Sequence, residues 1–84
     1  MPEKKNLVVY DLRYYEHKGW ALTTGGAHVW VKAAQTKERA IRDAAWDLRD
    51  ILDNLGQESE LRVHTRGGKF SFARTYGHDP KSPG

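Results

Sequence analysis

At 84 residues the chain has material for one hydrophobic core and one domain, spanning 1–84, which excludes a second domain and leaves little room for a deep substrate cavity. With no cysteine it can build neither a disulfide framework nor a thiolate metal site, and a reducing compartment fits. Lys plus Arg outnumber Asp plus Glu by 14 to 11, a formal charge of +3, which permits a polyanionic partner without requiring one, so the distribution of charge matters more than its sum.

Residues 1–5 are rich in charge and are expected as a flexible N-terminus. The apolar run Leu7 to Tyr10 is too short for a signal-peptide core or a membrane span, so a cytoplasmic protein without membrane contact is expected. Three stretches, Leu7 to Tyr15, Gly19 to Thr24 and Ala27 to Ala33, read as a meander of strands. Gly25-Gly26 is a two-residue hairpin signal, because glycine takes positive φ without steric cost. Pairing across it sets Leu22 opposite Val29 and Trp20 opposite Val31 on one face, with Ala21 opposite Trp30 and Thr23 opposite His28 on the other. In the first hairpin, a three-residue loop near Glu16-His17-Lys18 aligns Leu12 with Leu22 and Tyr14 with Trp20, which keeps the apolar face continuous.

Thr36 is a good N-cap and Gly56 stands where a left-handed C-terminal cap falls, so a helix over 37–55 is expected. Ile41, Ala44, Ala45, Leu48, Ile51, Leu52 and Leu55 follow the three-and-four spacing of one apolar stripe that must cover a sheet. After a polar connector, Gln57 to Glu60, the stretches Leu61 to Arg66 and Lys69 to Thr75 flank Gly67-Gly68 as a second hairpin. The same two-residue logic pairs Thr65 with Phe70 and Val63 with Phe72 toward the core, and leaves Arg62, His64, Arg66, Lys69, Ser71 and Ala73 on the opposite face. Residues 77–84, with Pro80 and Pro83, are expected as a loose tail. The order β-β-β-α-β-β predicts an α+β two-layer sandwich: a mostly antiparallel sheet with one helix packed on one face.

Four motifs in this order resemble a family of small, mostly bacterial and archaeal proteins known as domain of unknown function 2188. They are Gly19-Trp20-Ala21-Leu22, Thr36-Lys37-Glu38-Arg39-Ala40-Ile41, Val63-His64-Thr65-Arg66-Gly67-Gly68-Lys69 and Tyr76-Gly77-His78-Asp79-Pro80. The last is the most specific. The resemblance implies a fold and brings no activity with it.

Catalytic chemistry finds little footing. His17, His28, His64 and His78 lack the short spacing that metal sites favour, and no metal or cofactor is expected. Asp43, Asp47, Asp50 and Asp53 alternate with Arg39, Arg42 and Arg49 on one helix, the pattern of a solvated helix face rather than a catalytic set. The glycine pairs have neither Walker nor dinucleotide spacing and read as hairpin turns. A non-enzyme is therefore expected.

The open sheet face is more informative. It is expected to carry Arg13, His28, Trp30, Lys32, Arg62, His64, Arg66 and Lys69, with Asp11 as its only acid. The helix holds four basic and five acidic residues, a net of −1, so the +3 of the chain comes from +4 elsewhere. Cations that release phosphate counterions, interleaved with a ring that stacks on a base, suit nucleic acid. The candidate contacts are Arg13, Trp30, Lys32, Arg62, His64, Arg66 and Lys69. The plainer alternative is basic residues that keep an exposed sheet soluble and unpaired.

Trp46 is the other anomaly. At about 100° per residue it falls roughly 140° from Ile41, among the charged residues of the helix. Either arginine stems cover it or it anchors a second subunit. The leading expectation is a nucleic-acid-binding module acting through the sheet; the alternative is a protein-interaction or homo-oligomerisation module without catalytic activity.

Overall fold

The computed structural model describes residues 7–33 and 35–77. The expectations for 1–5 and 78–84, His78 and the end of the Tyr76–Pro80 motif lie outside the described residues. The elements are β1 Val8–Tyr15, β2 Gly19–Thr24, β3 Ala27–Lys32, α1 Lys37–Leu55, β4 Ser59–His64 and β5 Phe70–Tyr76. They form a five-stranded sheet in the order β3-β2-β1-β4-β5 with the helix on one face. This is the expected α+β layering, and the sheet is mixed: β1 runs parallel to β4, while the other three pairs are antiparallel. The parallel pair arises because α1 carries the chain from the β3 edge back across the sheet to the free side of β1.

Both helix caps act as the sequence implies. The Thr36 hydroxyl accepts from the Arg39 backbone N–H at 3.1 Å, and Gly56, at φ 70°, donates its N–H to the Leu52 carbonyl. Ala40, Ala44, Leu48 and Leu52 are the buried helix residues, set against Tyr10, Leu12, Trp20, Leu22, Leu61 and Val63 of the sheet. The first hairpin has the expected register, Leu12 opposite Leu22 and Tyr14 opposite Trp20. Its loop places His17 at φ 71°. Gly19 must remain glycine: its φ is +100°, and a Cβ there would collide with the Lys32 carbonyl oxygen and the Ala33 Cα.

The other two hairpins each contain a register shift that the sequence pattern misses. Thr23 pairs with His28 as expected, but Leu22 then pairs with Trp30, Ala21 with Val31 and Trp20 with Lys32. Val29 is the extra residue of a bulge, and one extra residue sends every later side chain of β3 to the other face. Val31, expected in the core, is 41% exposed, while Trp30 packs against the core. The exchange favours the larger ring, which buries more apolar area than a valine and finds a hydrogen-bond partner on the helix.

In the second hairpin the turn itself is longer by one residue. Thr65 bonds Lys69 through its N–H and Gly68 returns an N–H to the Thr65 carbonyl, with Gly68 at φ 94°, so the loop is Arg66-Gly67-Gly68 rather than Gly67-Gly68. His64 therefore faces Phe70, and a bulge at Ser71 restores Val63 opposite Phe72. Phe70, expected in the core, lies on the open face and is 59% exposed. Leu55 has the right helical phase but lies at the end of the helix and is exposed as well.

Candidate functional site

Two outward surfaces compete for function: the open sheet face and the outer side of α1. Six of the seven residues expected to form a nucleic-acid platform are drawn into other contacts, and one of those six, His64, is mostly buried. Trp30 is on the helix side of the sheet, where its Nε1 donates to the Asp47 carboxylate at 2.7 Å. Lys32 follows it, with Nζ 3.2 Å from Asp43 and 4.9 Å from the centre of the Trp30 ring. Both belong to the seam between β3 and the helix, which corrects their expected placement. The cause is the Val29 bulge, since without it both would face solvent.

Arg66 is likewise removed from the open face. Lying in the lengthened turn, it folds over Tyr14, with its guanidinium 4.3 Å from the ring centre and Nη2 donating to the Tyr14 hydroxyl at 2.9 Å. Arg13 and Arg62 do lie on the open face, each beside an acid two residues earlier on its own strand. Arg13 is 3.9 Å from Asp11, and Arg62 Nε is 3.1 Å from Glu60. In the parallel register Asp11 stands opposite Arg62, so these four charges form an alternating block on the two central strands. Glu60 was expected in a connector; β4 begins at Ser59, and the period of two that defines a strand then puts Glu60 and Arg62 on one face.

His64 completes this block. Mostly buried, it has Nε2 2.9 Å from Asp11 Oδ1 and meets Phe70 edge to face at 6.1 Å. Its Nδ1 is buried without a protein partner among the described residues. Lys69 is exposed in the turn, and its side chain has no partner among the described residues. His28 is far from His64, because β2 and β1 separate their strands, three strand spacings or roughly 14 Å. Among the described residues no group of three or more His, Asp or Glu is placed to hold a metal ion.

The outer helix face contrasts with this. Trp46 lies about 160° in helical phase from both Ala44 and Leu48, directly away from the core, and is 72% exposed. Arg42, Ala45, Arg49, Asp50 and Asp53 surround it in a hollow of about 340 Å³. That volume is at the low end for small-molecule sites, and walls from a single helix cannot enclose a ligand. Among the described residues no cation lies over the Trp46 ring, although Trp30, Tyr14 and Phe72 each have one. Arg42 and Arg49 line the same hollow, but whatever their stems cover leaves the indole 72% exposed.

No helix among the described residues is long and apolar enough to cross a membrane. No protein-family model matches the chain, and no curated protein or solved structure matches it at a significant level.

Proposed function

We propose that this chain is a non-catalytic protein-interaction module whose working surface is the outer side of α1, with Trp46 as its anchor. The observation that supports this most is the 72% exposure of Trp46 at the centre of a charged helix face. An indole left in water is unfavourable by its apolar area, and tryptophan is the side chain most enriched where partner proteins concentrate their binding energy. The resemblance to the uncharacterised prokaryotic family is compatible with such a role and adds no activity to it.

Nucleic acid is the weaker of the two functions. A stacking platform needs an exposed ring among free cations; the open face offers Phe70, already edge to face with His64, and Lys69, whereas Trp30 is bonded to Asp47 and Arg13 and Arg62 stand beside acids. Photo-cross-linkers placed at Arg49 on the helix and at Ala73 on the open sheet separate the two functions. In extract, protein adducts from the Arg49 position that vanish with Trp46→Ala are expected. Nucleic-acid adducts from the Ala73 position, with none from Arg49, would overturn the proposal.

A further inference from the structure

The charges around Trp46 are ordered along the helix. Arg39 and Arg42 precede it by seven and four residues, and Asp50 and Asp53 follow it by four and seven. All four are exposed. At 1.5 Å rise per residue the inner pair stands about 6 Å and the outer pair about 10 Å on either side of the indole. Arg39, Arg42 and Asp53 have no side-chain partner among the described residues, and Asp50 holds only the Asn54 amide at 2.8 Å. Two further charges flank the indole, each about 60° away in helical phase: Arg49 three residues after it and Asp43 three residues before it, the latter already held by Lys32 and Gln35. The face is thus basic toward the helix N-terminus and predominantly acidic toward the C-terminus, with one large apolar group between.

We infer that the partner of this face is a second copy of the same chain, packed helix against helix in antiparallel orientation about a two-fold axis at Trp46. A two-fold pairing is isologous, so each residue of the face meets its counterpart across the axis. Residue 46 then meets residue 46, Arg39 comes level with Asp53 of the other copy, and Arg42 with Asp50. A parallel pairing sets Arg39 against Arg39 and Asp53 against Asp53, which repels. Antiparallel helices also align their macrodipoles favourably. The two indoles supply apolar contact at the centre, while the charges fix orientation more than affinity. One helix face buries less than a standard interface of about 1,600 Å², so the dimer is weak and reversible. The inference rests on the outer helix face being the interaction surface.

Sedimentation equilibrium on the full chain tests it with four variants: W46A, R39D/R42D, D50R/D53R and the fourfold swap R39D/R42D/D50R/D53R. Circular dichroism confirms that each retains the fold, as exposed positions should. Wild type is expected to show a reversible monomer–dimer equilibrium, weakened at least about tenfold by W46A. Each double charge reversal is expected to lose at least about tenfold alone. An equimolar mixture of the two should recover to within about threefold of wild type, and the fourfold swap should recover as a homodimer, because both restore opposite charges across the axis. A wild type that stays monomeric at concentrations on the order of 1 mM overturns the inference. A dimer that needs Trp46 but ignores the charge reversals overturns the antiparallel arrangement and leaves the interaction surface standing. Self-association absent, with Trp46-dependent adducts to another protein in extract, overturns the second copy as partner and not the surface.

Discussion

On the open sheet face Arg13 stands 3.9 Å from Asp11 and Arg62 3.1 Å from Glu60; on the outer helix face the side chains of Arg39 and Arg42 have no partner among the described residues, although five acids share their helix. The difference is one of period. In a strand, residues two apart share a face, so Asp11-x-Arg13 and Glu60-x-Arg62 each carry their own counterion. In a helix, neighbours are three and four apart. The acid four residues after Arg39 is Asp43, which holds Lys32 and Gln35 at 3.2 and 2.9 Å. The position four after Arg42 is Trp46 itself, and Glu38, four before Arg42, makes no ion pair with that arginine. A sheet that looks basic in sequence is thus internally compensated, while a helix with a net charge of only −1 presents uncompensated charge in an ordered pattern.

The largest expected effect concerns the frame that holds both surfaces apart. Leu48 is fully buried, and Leu48→Ala should cost about 2–5 kcal/mol in a denaturant titration, through lost burial plus a cavity. A loss below about 1 kcal/mol would mean that the inner face of α1 is misassigned, and the outer face with it.

Next is the seam that takes Trp30 away from the sheet platform. Asp47→Ala leaves the Trp30 Nε1 without its acceptor and should cost about 1–3 kcal/mol, together with a change in tryptophan emission. An unchanged stability and spectrum would return Trp30 to solvent and revive the sheet as a binding platform.

The compensated block on the sheet predicts little from its arginines. In titrations with mixed-sequence duplex DNA at several salt concentrations, Arg13→Ala with Arg62→Ala should change the salt slope by less than about half a unit. Two free phosphate contacts would contribute nearly two. A change that large would contradict the pairing.

The smallest effect is expected two residues from the largest. Trp46→Ala should alter the stability of the monomer by no more than about 0.5 kcal/mol, as for other surface positions. Trp46 and Leu48 thus form a matched pair on opposite sides of one helix, and a costly Trp46→Ala would erase the contrast between them.

The parts of the fold legible in the sequence are those set by local chemistry. Thr36 and Gly56 delimit the helix because capping is decided within one turn of chain, and the exposure of Trp46 follows from helical phase alone. The two bulges were not legible, because what places them is tertiary. Val29 is extruded where Trp30 turns to Asp47, 17 residues away, and no local signal announces that pairing. The second hairpin shows two errors cancelling: a loop one residue longer than its glycine pair suggests, then a bulge at Ser71 that restores Val63 to Phe72. In the first, nothing cancels, and Trp30 and Lys32 lie on the face opposite to the one the pattern implies. The nucleic-acid platform depended on that register, whereas the case for Trp46 did not.

The central claim, that two copies meet through the outer side of α1 rather than through the open sheet, is tested most directly by a dilution series of the full chain in nitrogen–proton correlation spectra. The three indole signals report separately on Trp20 in the core, Trp30 in the seam and Trp46 on the outer face. The expected result is that the Trp46 indole and the backbone amides of Arg39, Arg42, Asp50 and Asp53 shift with concentration while Trp20, Trp30 and the open-face strands stay fixed. Concentration-dependent shifts confined to Val31, Arg62 and Phe70, with Trp46 unmoved, would contradict it.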